Sequence, residues 1–468
     1  MRGAAFFLSC LSCSGFARLV QTSIVSVEDS LNTKSFGRQK DLSDRRWSRE
    51  RNTARVAVDP STALGLLLHA LKATAAFSSF THVANARRYG SGLRLPEAGS
   101  RGLKMLGAER CVSWACQKLG SLACLEMQEE AVPSVADDEC QVSVRAIGLN
   151  YADIFSVLGL YEAANKLLKE RGGGAFVAGF EFAGEIVRTG KDVSDLKVGD
   201  SVYGFCRFGA FRTMVVARQD YIKKLPDGWT FAEGAALLAQ GLTAWHGLVE
   251  LGNARKGSRV LVHSAAGGVG CAAMQICEAM GCEAVGVVGA EGKVAFLQER
   301  YPSCRAMLRG PERQYAKQLA EVGLDYDVVL DSLGGRYLTA ALDRVSPMGR
   351  LVHFGATNAY GGSAVDGLLK WFKLVPNFLA RPFVDPGELV GTNRAIIGFN
   401  LVWLTQQVDM LTRELDSMLT TGGLASRPPA VGKIFRFAEL PEALAYLRSG
   451  ASVGKVVVSV EEADGPVD

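Results

Sequence analysis

The pattern of hydrophobic and polar positions changes twice along the chain, near residue 106 and again near residue 236. Over 106–235, short β-branched runs alternate with glycine turns, as in QVSVRAI, FAGEIV and FRTMVVA, which predicts a strand-rich domain. Over 236–424, apolar strands alternate with helices, beginning with SRVLVH, a helix over 268–280 and EAVGVV. This alternation is typical of a parallel, doubly wound sheet. The tail, 425–462, reads strand–helix–strand and is predicted to return to the first domain, so the fold class is α/β.

Residues 1–105 form a leader that differs in composition from the body. They hold 16 Lys and Arg against 7 Asp and Glu, whereas the rest of the chain holds 36 against 41. A secretory-like start, a polar stretch rich in Arg, Ser and Thr, and a second apolar run over 62–80 resemble the bipartite leaders of proteins sent to complex plastids. We therefore predict a leader that is cleaved or disordered and an organellar destination, with the plastid favoured over the mitochondrion. The alternative is a gene-model extension with Met105 as the true start, which would give a cytoplasmic protein.

Two features of the composition exclude other classes of function. The body carries no basic patch with interleaved aromatic residues, so no nucleic-acid binding is expected. The eleven cysteines are scattered, and the one C-x-x-C pair, Cys10 and Cys13, lies in the apolar leader. We interpret the cysteines as reduced thiols, many of them small core residues.

A glycine-rich turn follows the first apolar strand of the second domain. Its sequence is H-S-A-A-G-G-V-G over 263–270, a G-x-G-x-x-G pattern with alanine in the first position. The small first residue allows a tight turn, the second lets backbone N–H groups approach a pyrophosphate, and the third lets the helix pack on the strand. The phosphate would rest on the helix N-terminus. We predict dinucleotide binding by Ala265, Gly267, Gly268, Val269 and Gly270.

The end of the second strand indicates which dinucleotide is bound. An Asp or Glu there would bind the ribose 2′-hydroxyl of NAD, but the chain has Val288-Gly289-Ala290. Lys293 and Arg309 lie within reach of a 2′-phosphate, with Arg309 able to make a fork-like contact. The alternative is that both are solvated surface cations. We predict NADPH as the cofactor.

The body resembles the medium-chain dehydrogenase/reductase superfamily, specifically its zinc-free quinone oxidoreductase branch. The segments that carry the resemblance occur in the family's order and include VRAIGLNYADIFSVLGLY, AGFEFAGEIVRTGKDVSDLKVGDSVYGF, LAQGLTAWHGL, VLVHSAAGGVG, YDVVLDSLGGRYL and GKVVVSV. Within the branch, TNRAIIGFNLVWL (392–404) and the apolar insertion Leu368–Val384 resemble synaptic-vesicle amine-transport-protein-like members. The resemblance implies a GroES-like catalytic domain, a Rossmann domain between its two parts, and often a homodimer made edge-to-edge through the Rossmann sheets.

The resemblance also bears on metal binding. Asn150 stands where zinc-dependent members have the first cysteine ligand, and Phe180 stands where they have histidine. Neither side chain is a ligand that zinc prefers. The five histidines form no ligand-spaced cluster, and His263 and His353, near the ends of Rossmann strands, are expected to be packing residues. We predict no metal site.

The resemblance further implies roles for individual residues. Asn150 would donate to the acceptor oxygen or hold the nicotinamide ribose, Tyr161 would donate a hydrogen bond or proton, and Asp153 would be a structural acceptor. The implied contacts to the nicotinamide half of the cofactor are Thr243, Gly355, Phe399 and Asn400. Lys455 either reaches the cofactor or only extends towards solvent at a strand start.

Three functions are compatible with this sequence. The first is hydride transfer from NADPH to a quinone or an α,β-unsaturated carbonyl without metal. The second is reduction of a trans-2-enoyl thioester, which requires a long acyl tunnel and a proton donor such as Tyr161. The third is an NADPH-binding module with little turnover that makes peripheral contact with a lipid or vesicle surface through Leu368–Val384, an alternative to simple packing of that insertion.

Overall fold

The computed structural model describes residues 110–355 and 382–460. The leader lies outside the described residues, as does the apolar insertion Leu368–Val384 except for its last three residues. The predictions of import and of membrane contact therefore stay predictions. Within the described ranges, no helix is both long and apolar enough to cross a bilayer.

The N-terminal half of the described chain and its tail build a β-rich lobe, the catalytic lobe. Its strands are β1 (Arg110–Cys116), β2 (Leu125–Ala131), β3 (Glu139–Gly148), β4 (Phe176–Val177), β5 (Glu181–Thr189), β6 (Ser201–Phe205), β7 (Met214–Arg218), β8 (Ile222–Lys224), β15 (Val431–Arg436) and β16 (Lys455–Ser459). The larger sheet has the order β15-β16-β3-β5-β6-β8, with β7 also pairing β3, and the smaller sheet has the order β2-β1-β4. Because β16 pairs antiparallel with β3, the tail completes the sheet that the first half begins.

The middle of the chain builds a parallel sheet with the strand order of a Rossmann fold. Its strands are β9 (Arg259–His263), β10 (Glu283–Val288), β11 (Arg305–Leu308), β12 (Tyr326–Asp331), β13 (Val345–His353) and β14 (Ala395–Gly398). The order is β11-β10-β9-β12-β13-β14, and every pair is parallel. Such a sheet binds ligands at the carboxyl ends of its strands, where the order reverses between β9 and β12. The predicted α/β class, with a GroES-like domain and a doubly wound sheet, is confirmed.

Helices flank both lobes. They are α1 (Tyr151–Val157), α2 (Glu162–Glu170), α3 (Phe231–Gly234), α4 (Leu238–Trp245), α5 (Gly268–Met280), α6 (Glu291–Arg300), α7 (Glu312–Val322), α8 (Gly335–Leu342), α9 (Pro386–Thr392), α10 (Val408–Thr420) and α11 (Leu440–Arg448). A π-helical turn, His246–Leu251, continues α4. The Rossmann sheet has β11 and β14 as its edges, and the expected edge-to-edge homodimer stays a prediction.

One cysteine pair departs from the sequence interpretation. Cys116 and Cys124 form a disulfide across the turn between β1 and β2, with their Cα atoms 5.1 Å apart. The interpretation of all cysteines as reduced thiols is wrong for this pair, because the hairpin register places Cys116 opposite Leu125, next to Cys124. The other seven cysteines within the described ranges are free, and all but Cys206 are buried.

Candidate functional site

A cavity of about 720 Å³ lies between the catalytic and Rossmann lobes, and we call it the cleft. It brings together most of the residues selected from the sequence: Asn150, Tyr161, Thr243, Gly267, Gly268, Val269, Gly270, Lys293, Arg309, Gly355, Phe399, Asn400 and Lys455. Asp153 and Ala265 are absent from its walls because both are completely buried. Ala265 lies beneath the turn, where its methyl group approaches Gly286 of β10.

The glycine-rich turn has the geometry that its sequence predicts. Its helix, α5, begins after Gly267 without a side-chain cap, so the N–H groups of the first turn have no intrahelical partners and point towards the cleft end of the helix. A Cβ atom on Gly270 would lie 2.4 Å from the Ser264 carbonyl oxygen, so only glycine permits this approach of helix and strand. The tail closes on the same turn, because Gly454 N–H donates to the Ala266 carbonyl at 2.8 Å.

Two cations lie at the ends of β10 and β11. Lys293, on α6, donates to the carbonyls of Gly450 and Ser452 at 2.6 and 2.8 Å. The Arg309 guanidinium lies over the Tyr337 ring, 4.7 Å from its centroid. Partial burial is the larger cause that lowers the pKa of Lys293, and the positive charge of Arg309 lowers it further. Neither cation has a carboxylate partner among the described ion pairs, so the pair fits a bound anion.

Asn150 is held by a buried polar cluster below the cleft. Its amide nitrogen donates to Glu181 Oε1 at 3.0 Å, and its oxygen accepts from Gln240 Nε2 at 2.6 Å and from Lys455 Nζ at 3.1 Å. The amide donors already have partners, so the predicted donation from Asn150 to an acceptor oxygen is not supported by this geometry. Asn150 instead joins the two lobes through Gln240 of α4.

Lys455 forms an ion pair with Glu181 inside this cluster, and both side chains are almost completely buried. The second Glu181 oxygen accepts from the Ala239 N–H at 3.0 Å. Burial lowers the pKa of Lys455 despite the neighbouring carboxylate. The alternative in which Lys455 extends towards solvent is wrong, because β16 is an interior strand of its sheet and its first side chain points inward.

Asp153 accepts hydrogen bonds from two backbone N–H groups. One carboxylate oxygen accepts from the Asn150 N–H at 2.7 Å and the other from the Gly179 N–H at 3.1 Å. Complete burial raises the pKa of Asp153 to about 7, although these backbone donors act in the opposite direction. The carboxyl group therefore fixes the start of α1 and the Gly179 turn behind the cleft wall.

Tyr161 lies at the aromatic end of the cleft. Its hydroxyl donates to Asn400 Oδ1 at 2.9 Å, which connects the catalytic lobe to the Rossmann lobe. Its ring makes edge contacts with Phe180 and Phe208. Burial raises the pKa of Tyr161 to about 12, so the hydroxyl keeps its proton at neutral pH.

The comparisons with known proteins agree with this architecture. Residues 136–227 match the alcohol dehydrogenase GroES-like domain, and residues 312–458 match a family described as zinc-binding dehydrogenase. The chain is 29% identical to the synaptic vesicle membrane protein VAT-1 homolog of Rattus norvegicus, over 71% of this chain and 80% of that protein. It is 31% identical to the highly reducing polyketide synthase sphB of Aspergillus fumigatus over 70% of this chain, but this covers only 12% of the synthase.

Several solved structures are also similar to this chain in fold. The CurK enoyl reductase is 28% identical, with a TM-score of 0.60 over 75% of this chain and 99% of that one. A quinone oxidoreductase of Pseudomonas syringae (24% identical, TM-score 0.60) and a mycobacterial protein complexed with NADPH (23% identical, TM-score 0.62) each cover 75% of this chain and 99% of their own. The chain belongs to the medium-chain dehydrogenase/reductase superfamily. Within this family of oxidoreductases it falls in the VAT-1-like quinone oxidoreductase branch.

The residues at the superfamily's zinc positions do not fit a metal ion in this member. Asn150 is fully engaged by Glu181, Gln240 and Lys455, and the ring of Phe180 packs 4.9 Å from that of Phe208. In the part of the chain that the structure describes, no group of three or more His, Cys, Asp or Glu side chains is placed to hold a metal. The zinc in the matched family's description is therefore not carried over to this chain.

Sequence reasoning missed a buried polar group beneath the carboxyl edge of the Rossmann sheet. His263 and His353 both donate through Nδ1 to Asp331, at 2.6 and 2.7 Å, and the Tyr315 hydroxyl lies 2.8 Å from His263 Nε2. Burial would raise the pKa of Asp331, but the two imidazole donors outweigh it and hold that pKa far below its usual range. The expectation that these histidines only pack is wrong, because each strand end presents one member of this group.

Gln240 is a second residue that the sequence did not select. The Gln240 residue lines the cleft, and its buried Oε1 atom has no hydrogen-bond partner among the described residues. Its side chain packs beside Gly268, where a Cβ would lie 2.7 Å from Gln240 Cγ. By contrast, the Thr243 hydroxyl donates to the Ala239 carbonyl at 2.6 Å. The Thr243 hydroxyl has therefore used its donor within the protein and can still accept a hydrogen bond, and Gln240 Oε1 has an unused acceptor.

Proposed function

We propose that this chain transfers hydride from NADPH to a quinone or another α,β-unsaturated carbonyl without a metal ion. The observation that carries the proposal is the combination, within one cleft, of an uncapped glycine-rich helix N-terminus, two cations without carboxylate partners, and a protonated tyrosine. When bound, the nicotinamide supplies two electrons and a hydrogen to the acceptor. The protein's contribution is binding, orientation and control of one proton.

The residues that would hold the cofactor fit a phosphorylated dinucleotide. The N–H groups of Gly268, Val269 and Gly270 suit a pyrophosphate. Lys293 and Arg309 suit the additional 2′-phosphate, because a charge-assisted contact to phosphate is stronger than one between neutral groups. The absence of an acid at Val288-Gly289-Ala290 leaves the site without a partner for an unmodified ribose, which favours NADPH over NADH. The NADPH complex of the similar mycobacterial protein supports this choice.

At the acceptor end, Tyr161 would orient and protonate the substrate. Its hydroxyl is available once it leaves Asn400, and its raised pKa keeps the proton in place until negative charge develops on the acceptor oxygen. Hydrogen-bond donation to that charge would lower the barrier. Asn150, Glu181 and Lys455 would hold the wall of the cleft in position rather than touch the acceptor oxygen.

Reduction of a trans-2-enoyl thioester is the second candidate. The similarity to the CurK enoyl reductase and to part of a polyketide synthase favours it. It would use the same cofactor and the same proton donor, but its thioester acceptor requires a long acyl tunnel.

The test is oxidation of NADPH and of NADH by the full chain, with 9,10-phenanthrenequinone and with crotonyl-CoA as acceptors. We expect faster oxidation of NADPH than of NADH, with the quinone as the better acceptor. Faster turnover of crotonyl-CoA would favour the second candidate. NADPH binding without oxidation by either acceptor would reject both reactions and favour a binding module with little turnover.

A further inference from the structure

A second cavity, of about 50 Å³, lies beside the acceptor end of the cleft, and we call it the side chamber. It is lined mainly by apolar side chains of α4 and α10, namely Leu238, Leu242, Val408, Leu411 and Leu415. The polar groups at its edge are partly satisfied within the protein, because the Tyr221 hydroxyl donates to the Thr405 carbonyl at 3.0 Å. The chamber therefore offers an apolar surface to a bound molecule.

The side chamber and the cleft share three wall residues: Phe205, Ala239 and Leu401. Phe205 stacks on Phe180, which contacts the ring of Tyr161, and Leu401 follows Asn400, which accepts the Tyr161 hydrogen bond. Ala239 contributes only a methyl group to this partition. A chain that leaves the acceptor carbonyl near Tyr161 is therefore separated from the chamber by this partition alone.

We propose that the side chamber receives the end of an unbranched alkyl chain on the acceptor, so that enones with such a chain are preferred over short or compact ones. This inference rests on the proposed hydride transfer and names its substrate class. The chamber is much smaller than the 720 Å³ cleft, so it accommodates only the end of an alkyl chain. The increase of kcat/KM and affinity with chain length should therefore reach a plateau within a few methylenes. Leu411 of α10 lines the chamber and does not line the cleft.

The test combines turnover with binding in the full chain. Turnover of 1-alken-3-ones of four to ten carbons is measured with NADPH, and binding of the corresponding saturated ketones, from butanone to 3-decanone, is measured by calorimetry. We expect kcat/KM and affinity to rise about fourfold for each methylene that enters the chamber, since burial of a methylene contributes ~0.8 kcal/mol and about 1.36 kcal/mol corresponds to tenfold.

Two substitutions of Leu411 act in opposite directions. Leu411→Phe fills the chamber and is expected to bring the long-to-short ratio close to one, whereas Leu411→Ala deepens it and moves the plateau to longer chains. The matched controls are Ile434→Phe and Ile434→Ala on β15, where the side chain is 53% exposed, and neither should alter the profile. Because the two Leu411 variants have opposite predicted effects, a folding defect in one leaves the other decisive.

The possible failures are distinguishable. If affinity and kcat/KM do not depend on chain length in the unmodified protein, or if both Leu411 variants keep its profile, the side chamber is not a substrate site. If affinity rises with chain length and changes with the Leu411 substitutions but no enone is reduced, the chamber is a binding site for alkyl chains and the proposed reaction is refuted.

Discussion

Lys455→Met would remove the ammonium group that compensates the Glu181 carboxylate in the interior of the catalytic lobe. The Lys455 and Glu181 side chains are only 2% and 1% exposed, so water cannot replace the lost charge. Removing one partner of a buried ion pair costs about 3–5 kcal/mol. The Asn150 amide and the Ala239 N–H still donate to the carboxylate, which favours the lower half of that range. We expect the free energy of unfolding in urea to fall by about 3–4 kcal/mol.

The control is an ion pair of similar chemistry at the surface. Lys224 Nζ lies 3.2 Å from Asp200, and the Lys224 side chain is 56% exposed, so Lys224→Met should cost no more than about 1 kcal/mol. The double variant Lys455→Met/Glu181→Gln removes both charges and should lose clearly less than the sum of the single losses. A loss for Lys455→Met equal to that of Lys224→Met, or strict additivity in the double variant, would refute the reasoning.

Three further predictions follow from the site and its surroundings. Ala substitutions of Lys293 and Arg309 should raise the KM for NADPH by roughly 10- to 100-fold each, with little effect on NADH, and Lys317→Ala, at an exposed position, is the control. Burial raises the pKa of Asp153 to about 7 in the folded state, so the folded state holds an extra proton between pH 4 and 7 and the free energy of unfolding falls as pH rises through that window. Asp153→Asn should flatten this dependence of the free energy of unfolding on pH, measured by urea titration. An unchanged dependence in the variant would contradict the assignment. Cys124→Ser should lower the free energy of unfolding by about 2–3 kcal/mol, and a reductant should lower it equally in the unmodified protein but not in the variant.

Local patterns predicted the Rossmann lobe closely. The helix expected over 268–280 and the strand expected over 283–288 have those bounds as α5 and β10. Their periodicity, the glycine turn between strand and helix, and the absence of an acid from 288–290 at the end of β10 are properties of contiguous residues. The position of the cleft could also be predicted, because the carboxyl ends of parallel strands meet at one edge of the sheet.

Partnerships between distant residues were out of reach of the sequence. Lys455 and Asn150 are 305 residues apart, and no local pattern distinguishes a strand-start lysine in solvent from one that is buried. Asp331 and the two histidines around it come from three different strands, so their hydrogen bonds depend on strand order. The Cys116–Cys124 pair depends on a hairpin register that eight residues of separation do not determine.

The position of β16 also has a consequence for synthesis of the protein. This strand lies between β15 and β3 in the large sheet, yet the ribosome must make the entire Rossmann lobe before β16 emerges. Until then, the end of β3 over 146–148 is an open edge of backbone donors and acceptors, because β7 covers only 139–143 of that edge. An open edge of this kind promotes aggregation. This edge of the nascent catalytic lobe therefore stays unpaired until β16 is synthesised. Nonsense mutations or ribosome stalling before Gly454 should yield insoluble chains, even though the glycine-rich turn has already been translated.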